Sequence, residues 1–393
     1  MKRSPQLRYA ALQCFYWMVD SAVGSFASAF LLQRGFSSSL IGLVIGIGSI
    51  GSLFLEPVLA HYADHAKAGL TDILNVLVGL FILTAGSLLV WKSGSPALFV
   101  FYILVNILHT IQHPLINEMN YRLERAGHTM NFGIARAMGS LGFSIMSALL
   151  GVLVEKAGVQ MIPLSAIVIS LVMAVLLFLL RPMMPKRDAV QKEATETSAG
   201  SASEMLAFAK GHRRLMLVTL GGTFLMFSSV TCGYYLLQII MHVGGNAQDM
   251  GIALALAAFT EIPVMMLFSR LQNRLSSGMI LRIAAGGYIL KQLTLLLARN
   301  YGMILFSQMF QMISFALFLP AIVAYAHEHT EAEDGVKGQA LMPLSAVGSS
   351  LLASLFGGVL IDSLGIPFLL LVCLITAIIG AVLVVRFTEI EPV

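Results

Sequence analysis

Long apolar stretches separated by short polar ones run along the whole chain. Windows of about 20 apolar residues, the length that crosses ~30 Å of hydrocarbon, predict twelve membrane-spanning helices. We number them spans 1 to 12, at 9–32, 38–62, 71–91, 97–121, 131–154, 159–181, 214–242, 247–269, 279–298, 302–326, 338–361 and 365–386. The stretch QKEATETSAGSASE is nearly free of apolar side chains and predicts a solvated linker. We expect an all-α membrane protein with six-helix bundles at 1–181 and 213–393, joined by a cytoplasmic linker at 182–212.

The composition sets the chain apart from soluble globular proteins. Of its 393 residues, 58% are hydrophobic and 11% charged, whereas soluble domains have about 25% charged residues. Lys and Arg are distributed unevenly: four lie in loops on one side, two lie inside spans, and the other 18 of 24 lie on the opposite side. This asymmetry predicts that both termini are cytoplasmic. The net charge of +4 then reflects loop topology and indicates no nucleic-acid partner.

The cysteines and the first residues indicate neither redox chemistry nor a cleaved signal peptide. Cys14, Cys232 and Cys373 lie inside spans and far apart in sequence, which predicts neither a disulfide framework nor a metal site. The basic start MKRSPQLRYA leads into a long apolar run without a cleavage site, so we expect a retained first span. The short loops suit a bacterial inner membrane. We expect a multi-pass monomer in the lipid bilayer that needs no cofactor.

An acid and a base interrupt two consecutive apolar stretches. Glu118 lies near the end of span 4 and Arg136 near the start of span 5, and the polar residues 122–130 predict a short hairpin loop between them. We therefore expect the two charges at similar depth, where they can meet. An unpaired charge inside a bilayer costs at least ~2.5–3.5 kcal/mol, so such residues face a bundle interior or a water-filled cavity. The pair predicts either a salt bridge that fixes packing or a site for a polar solute.

Three further acidic residues belong to spans 1 and 2. Asp20 falls roughly midway through span 1, where a carboxylate predicts either a functional role or a hydrogen bond to a neighbouring helix. Glu56 precedes Pro57, which disturbs the helix and frees a backbone carbonyl. Asp64 lies at the predicted cytoplasmic end of span 2.

Span 4 carries a polar stripe. Its members Asn106, His109, His113 and Asn117 are spaced by 3, 4 and 4 residues, which places them on one helical face. Histidine titrates in the range useful for proton transfer, so the stripe predicts either packed, hydrogen-bonded histidines or residues that line a cavity. No cysteine or further carboxylate completes a ligand set, which argues against a metal site.

The second half repeats one feature of the first. Glu261 is followed by Pro263 in span 8, as Glu56 is followed by Pro57 in span 2, and this correspondence indicates an internal parallel repeat. Lys291 lies near mid-depth in span 9 and is the natural partner of Glu261. Two amphipathic residues of span 7, Tyr235 and Gln238, predict either packing on lipid or contact with a solute.

The chain resembles the major facilitator superfamily. The shared features are twelve spans in two halves, a polar linker between them, and charges inside spans 1, 4, 5, 8 and 9. The stretch NFGIARAMGSLGF is similar to the start of span 5 in the lactose permease group and the phenylpropionate-permease-like branch, where an aromatic-Gly-x-x-Arg core opens the helix. In the lactose permease that Arg pairs with a span 4 Glu 18 residues earlier, the spacing of Glu118 and Arg136, and both bind sugar.

The resemblance implies roles for single residues. Glu261 resembles a span 8 acid that contributes to substrate binding and coupling, and Lys291 stands where relatives have Arg. Phe143 stands where the lactose permease stacks a Trp on its sugar, and Asp64 keeps the acidic position of a degenerate cytoplasmic gating motif. The departures are in span 10, where Gln311 and Ser314 replace the proton-coupling His and Glu. Coupling would then use Asp20, Glu261 or Glu56.

These patterns predict a transporter and not an enzyme. We expect alternating access with proton-coupled symport of a sugar-like or small organic-acid solute at a central site between the halves. The expected solute-binding residues are Glu118, Arg136, Phe143, His113, Tyr235, Gln238 and Lys291. One alternative is proton-driven export of amphipathic compounds. Another is a membrane enzyme or sensor, which no nucleophile constellation, phosphate loop, metal motif or soluble signalling domain supports.

Overall fold

The computed structural model describes residues 5–66, 68–184, 208, 210–330 and 335–390, so the predicted linker stretch QKEATETSAGSASE lies outside the described residues. The chain divides into two compact units, Met1–Thr197 and Ser198–Val393. The described parts of both units are built from helices.

The first unit contains spans 1 to 6. Span 1 consists of the helix Pro5–Asp20, a π-helical turn at Ser21–Ser25 and the helix Ala27–Gln33. Span 4 is also divided, into Pro96–Thr110 and Gln112–Arg125. The other four spans are Ser38–His65, Leu70–Val90, Phe132–Ala157 and Met161–Leu180.

The second unit contains spans 7 to 12. Span 7 is divided into Arg213–Tyr234 and Leu236–His242. Span 10 is divided into Tyr301–Met309, a 3₁₀ turn at Phe310–Met312, and Phe315–Glu328. The other four spans are Ala247–Gln272, Ser277–Leu296, Gly335–Leu364 and Ile366–Phe387.

The predicted number of spans is confirmed. Eleven helices of the described chain are long and apolar enough to cross a membrane, and the pair Pro5–Ser25 and Ala27–Gln33, bent by 40°, makes the twelfth. Several observed helices extend past the predicted apolar windows because helical hydrogen bonding continues into the polar residues at the ends. Span 4, for example, continues to Arg125.

The same helix pairs form in both units. In the first, span 1 packs against spans 5 and 6, span 3 against spans 4 and 6, and span 2 against span 4. In the second, span 7 packs against spans 11 and 12, span 9 against spans 10 and 12, and span 8 against span 10. Adding six to each span number of the first unit gives a pairing of the second, which is the pattern that a parallel internal repeat produces.

Glycines bring spans 1 and 5 close together. A β-carbon built on Gly139 would overlap the indole of Trp17, and one built on Gly142 would lie 2.5 Å from the backbone oxygen of Cys14. Small residues at such crossings allow close helix packing in membranes. This approach places the side chains of span 1 directly against the start of span 5.

Candidate functional site

Breaks in the helices lie at or next to polar residues. Asp20 is the last residue before the π-helical turn of span 1, and Ile111 separates the two helices of span 4. Tyr235 separates the two helices of span 7, and Gln311 lies in the 3₁₀ turn of span 10. Broken helices of this kind form the substrate and ion sites of many transporters, because backbone groups and side chains there are free to bind a solute.

An acid and a histidine are in contact in the first unit. His109 Nε2 lies 3.1 Å from Asp20 Oδ1, and the side chains are 6% and 31% exposed, respectively. The Tyr16 ring stacks on His109 with 4.5 Å between ring centres, and its hydroxyl donates to the His109 carbonyl at 3.4 Å. A carboxylate and an imidazole at hydrogen-bond distance can share or exchange a proton. The histidine is fixed in the core while the carboxylate remains accessible.

A cation lies on an aromatic ring next to this pair. The guanidinium carbon of Arg136 is 4.1 Å from the centre of the Trp17 ring, and Arg136 also donates to Ser140 Oγ at 3.1 Å. His113 contacts Trp17 edge-on at 5.5 Å and stacks on Tyr16 at 5.4 Å. The Trp17 Nε1 atom is buried and has no hydrogen-bond partner within the described residues. The cluster therefore combines a cation, aromatic surface and an unused donor.

Amide side chains continue the cluster toward the end of the unit. Gln13 Nε2 donates to Tyr9 Oη at 2.8 Å and to Asn117 Oδ1 at 2.9 Å. Asn117 Nδ2 in turn donates to His113 Nε2 at 3.2 Å. The Gln13 Oε1 atom is buried and has no partner in the described part of the chain. This acceptor and the Trp17 donor are groups that a hydroxylated solute can satisfy.

Glu118 takes partners other than the predicted one. Its carboxylate accepts from Arg122 Nε at 3.1 Å and lies 3.9 Å from Arg125 NH1, so the ion pairs described for it are not to Arg136. The expectation treated 122–130 as a loop, but the helix continues to Arg125 and places Arg122 one turn from Glu118. Arg122 also donates to Asp64 Oδ1 at 2.9 Å and is itself buried. The predicted gating residue Asp64 thus ties span 2 to span 4.

A glutamine bridges the acid and the base of the second unit. Lys291 Nζ donates to Gln311 Oε1 at 2.5 Å, and Gln311 Nε2 donates to Glu261 Oε1 at 2.9 Å. Lys291, 5% exposed, also donates to Ser229 Oγ at 3.4 Å. The expected Glu261–Lys291 partnership is therefore mediated by the residue that the sequence marked as a departure from relatives.

The remaining predicted residues have differing surroundings. Tyr235 is fully buried and its hydroxyl donates to the Ser354 carbonyl at 3.0 Å, which fits packing rather than solute contact. Gln238 is buried and neither amide atom has a partner among the described residues. Phe143 and Glu56 are half-buried, on spans 5 and 2.

Several residues of these clusters were not predicted as site residues, among them Gln13, Tyr16, Trp17, His109, Arg122 and Gln311. His109 carried a signal, since it belongs to the polar stripe of span 4. Tyr16 and Trp17 lie one turn before Asp20 on the same helix, which is a weaker signal.

The sequence matches known transporters along almost its whole length. Residues 8–372 match the MFS_1 like family. The maltose permease of Geobacillus stearothermophilus is 25% identical over 396 residues, covering 98% of this chain and 95% of that protein. An uncharacterized transporter of Bacillus subtilis, YwbF, is 22% identical over 349 residues, covering 87% and 83%.

Solved structures show the same fold. The nucleoside transporter NupG superposes with a TM-score of 0.79 at 14% identity, covering 98% of this chain and 98% of that one. The peptide transporter PepTSo of the POT family superposes with a TM-score of 0.69 at 12% identity, covering 98% and 96%. The protein is a multi-pass membrane transporter and not an enzyme, and its bacterial relatives indicate the plasma (inner) membrane. The resemblance found in the sequence is confirmed, and the chain belongs to the MFS_1 like family of the major facilitator superfamily.

Proposed function

We propose that the chain is a proton-coupled symporter of a small sugar-like solute that works by alternating access. The observation that carries this proposal is the adjacency, within one unit, of the Asp20–His109 contact and the Arg136–Trp17 contact. Tyr16 joins them, because its ring stacks on both His109 and His113 and the latter touches Trp17. Binding of a solute and binding of a proton would therefore affect the same packed group.

The solute-binding part suits a hydroxylated molecule. Sugars present several donors and acceptors, and a site that holds them supplies convergent polar groups beside an aromatic or apolar surface. Trp17 Nε1 and Gln13 Oε1 are a buried donor and a buried acceptor still to be satisfied. Arg136 adds a guanidinium that also suits the carboxylate of a small organic acid. The similarity to a maltose permease supports the sugar over the acid.

The proton-coupling part is assigned to Asp20 with His109. Protonation of the pair removes the carboxylate charge or creates an imidazolium, and either change alters the contact that holds span 1 to span 4 beside the break at Asp20. Glu261 with Gln311 and Lys291 is the corresponding candidate of the second unit. Glu56, with no ion pair in the described part of the chain, is the third.

The other predicted residues are assigned to solute binding or to a gate. Gln238 offers an amide without described partners to the solute, and Phe143 offers an apolar surface. The Asp64–Arg122–Glu118 cluster serves as a gate, since it joins two spans through one arginine. The uneven distribution of Lys and Arg supports cytoplasmic termini. A monomer is sufficient for this scheme.

Transport by the purified protein in liposomes tests the proposal. We expect an inward proton gradient to drive accumulation of one radiolabelled member of a panel of mono- and disaccharides, nucleosides and small carboxylates, with alkalinisation of the outer medium. Arg136→Ala should raise the KM for that solute. Gradient-driven extrusion would instead identify an exporter, and accumulation that is indifferent to the gradient would refute the coupling.

A further inference from the structure

A cavity of about 360 Å³ lies at the end of the second unit where span 7 begins and spans 10 and 12 end. None of its lining residues is among the transport residues proposed above. The wall residues that matter here are His212, Arg213, Arg214, Tyr325, His329 and Glu389.

The wall of this cavity is positively charged. Arg213 and Arg214 are both exposed, and the one carboxylate among the lining residues is Glu389. Glu389 pairs with Arg214 and its second oxygen lies 3.8 Å from His329 Nε2. No ion pair is described for Arg213 within residues 210–330 and 335–390. One guanidinium is therefore neutralised and the other is available.

Two histidines that line the cavity have their ring orientations fixed by hydrogen bonds to backbone carbonyls. His212 Nδ1 lies 3.2 Å from the Phe208 carbonyl oxygen, and His329 Nδ1 lies 2.9 Å from the Tyr325 carbonyl oxygen. Because a carbonyl only accepts, each Nδ1 carries the hydrogen and each Nε2 remains for another partner. The His329 Nε2 atom is buried and has no hydrogen-bond partner among the described residues.

The rings themselves cannot turn away easily. His212 stacks on Phe208 at 4.3 Å and His329 stacks on Tyr325 at 4.0 Å. The backbone that carries Glu389 is also held, because Glu389 N donates to Tyr325 Oη at 3.1 Å and Arg282 donates to the Thr388 carbonyl at 2.7 Å. A ligand could thus displace the Glu389 side chain from Arg214 without moving the chain around it.

We propose that this cavity binds a phosphate group, carried by an anionic lipid headgroup or by a free phosphate compound. Guanidinium groups bind phosphate through paired charge-assisted hydrogen bonds, and Arg213, which lines the cavity, supplies the first contacts. Arg214 joins them when phosphate takes the place of the Glu389 carboxylate. The ends of membrane helices lie at the level of lipid headgroups, where basic pockets are known to bind anionic lipid.

Titration of the full-length protein in neutral detergent tests this inference. Dihexanoyl-phosphatidylglycerol, dihexanoyl-phosphatidylcholine and sodium phosphate would be added separately, with the shift in Tm and native mass spectrometry as readouts. The double variant Arg213→Ala with Arg214→Ala should bind whichever of these probes the wild type binds most tightly at least about tenfold more weakly, since charge-assisted hydrogen bonds are lost. Glu389→Gln should bind it more tightly, because the competing carboxylate charge is gone.

Arg270→Ala with Arg274→Ala is the matched control, since both arginines are exposed, Arg270 in the last turn of span 8 and Arg274 in the loop that follows. Its binding should equal that of the wild type. Tighter binding of phosphatidylglycerol than of phosphate or phosphatidylcholine identifies a lipid site, and binding of inorganic phosphate as tight as that of the lipid identifies a soluble phosphate compound. The inference is overturned if no probe binds, if both double variants weaken binding equally, or if Glu389→Gln leaves it unchanged.

Discussion

The guanidinium carbon of Arg136 lies 4.1 Å from the centre of the Trp17 ring, so a cation of span 5 rests on an aromatic residue of span 1. Such contacts contribute about 0.5–1 kcal/mol when exposed and about 2 kcal/mol when shielded from water. The contact is possible because Gly139, one turn after Arg136, has no side chain to displace the indole. The position of the arginine thus depends on a glycine.

Gly139→Ala should therefore destabilise the protein and weaken solute binding. The new methyl group would overlap the indole, and overpacking of this kind costs typically about 1–3 kcal/mol. Gly79→Ala is the control, because a β-carbon there meets no atom within 4 Å and alanine is favoured over glycine in a helix by about 0.5–1 kcal/mol. Thermal unfolding of both variants measures the difference. Equal Tm values would mean that the indole moves at no cost.

Asp20→Asn should abolish gradient-driven accumulation while preserving exchange of solute across the membrane. An asparagine cannot take up a proton, but exchange requires no net proton movement. His109→Gln should have the same effect if the pair acts as a unit. Glu56→Gln removes the half-buried carboxylate that is the third coupling candidate, and this comparison variant should accumulate solute normally if Asp20 carries the proton.

Counterflow and accumulation assays on the same liposome preparations separate the outcomes. Accumulation that survives in Asp20→Asn but fails in Glu56→Gln would transfer the coupling role to span 2. Loss of exchange together with accumulation in Asp20→Asn would make the contact with His109 structural.

The fold could be predicted from the sequence because the bilayer fixes the length of each apolar stretch. The same constraint identified the charges of spans 1, 4, 5, 8 and 9 as exceptional, since each carries a large cost in hydrocarbon. Their partners could not be predicted, because partners depend on where helices end and break. Glu118 pairs with Arg122 because span 4 remains helical to Arg125, about one turn past the predicted end of the span at residue 121.

In the second unit, too, the contacts of the charged residues could not be predicted from the sequence. Its acid Glu261 and its base Lys291 were predicted as partners, and the structure joins them through the amide of Gln311. The sequence marked Gln311 only as a replacement of a proton-coupling residue, and its position in a 3₁₀ turn inside span 10 is not apparent from composition. Tyr235 was ambiguous for a related reason, because a buried tyrosine serves packing or binding according to the partner of its hydroxyl, here Ser354.

Arg122→Ala should loosen the end of the first unit. The substitution leaves the carboxylates of Asp64 and Glu118 without the buried guanidinium that joins them. Because both carboxylates are partly exposed, we expect a loss of about 1–2 kcal/mol, below the 3–5 kcal/mol typical of a fully buried pair. Arg122→Lys keeps the charge and should recover part of the loss. Accessibility of a cysteine introduced at His65 reports whether the end of span 2 detaches, and an unchanged labelling rate in Arg122→Ala would argue against a gate.

Gln311→Leu should impair both the stability and the transport activity of the second unit. The leucine is similar in size but removes the amide that accepts from Lys291 and donates to Glu261. Hydrogen bonds to charged groups contribute about 1.5–3 kcal/mol each, so the variant should lose at least that much unfolding free energy.

Gln308→Leu is the matched control for this substitution. Gln308 is buried on the same span, but its amide donates to the neutral hydroxyl of Ser307 at 3.3 Å, so its removal should cost only about 0.5–1.5 kcal/mol. Chemical denaturation of both variants gives the comparison, and liposome uptake shows whether the bridge also matters for coupling. If Gln311→Leu loses stability but transports normally, the bridge is structural. If the two variants lose equal stability, the charges of Lys291 and Glu261 are satisfied without Gln311.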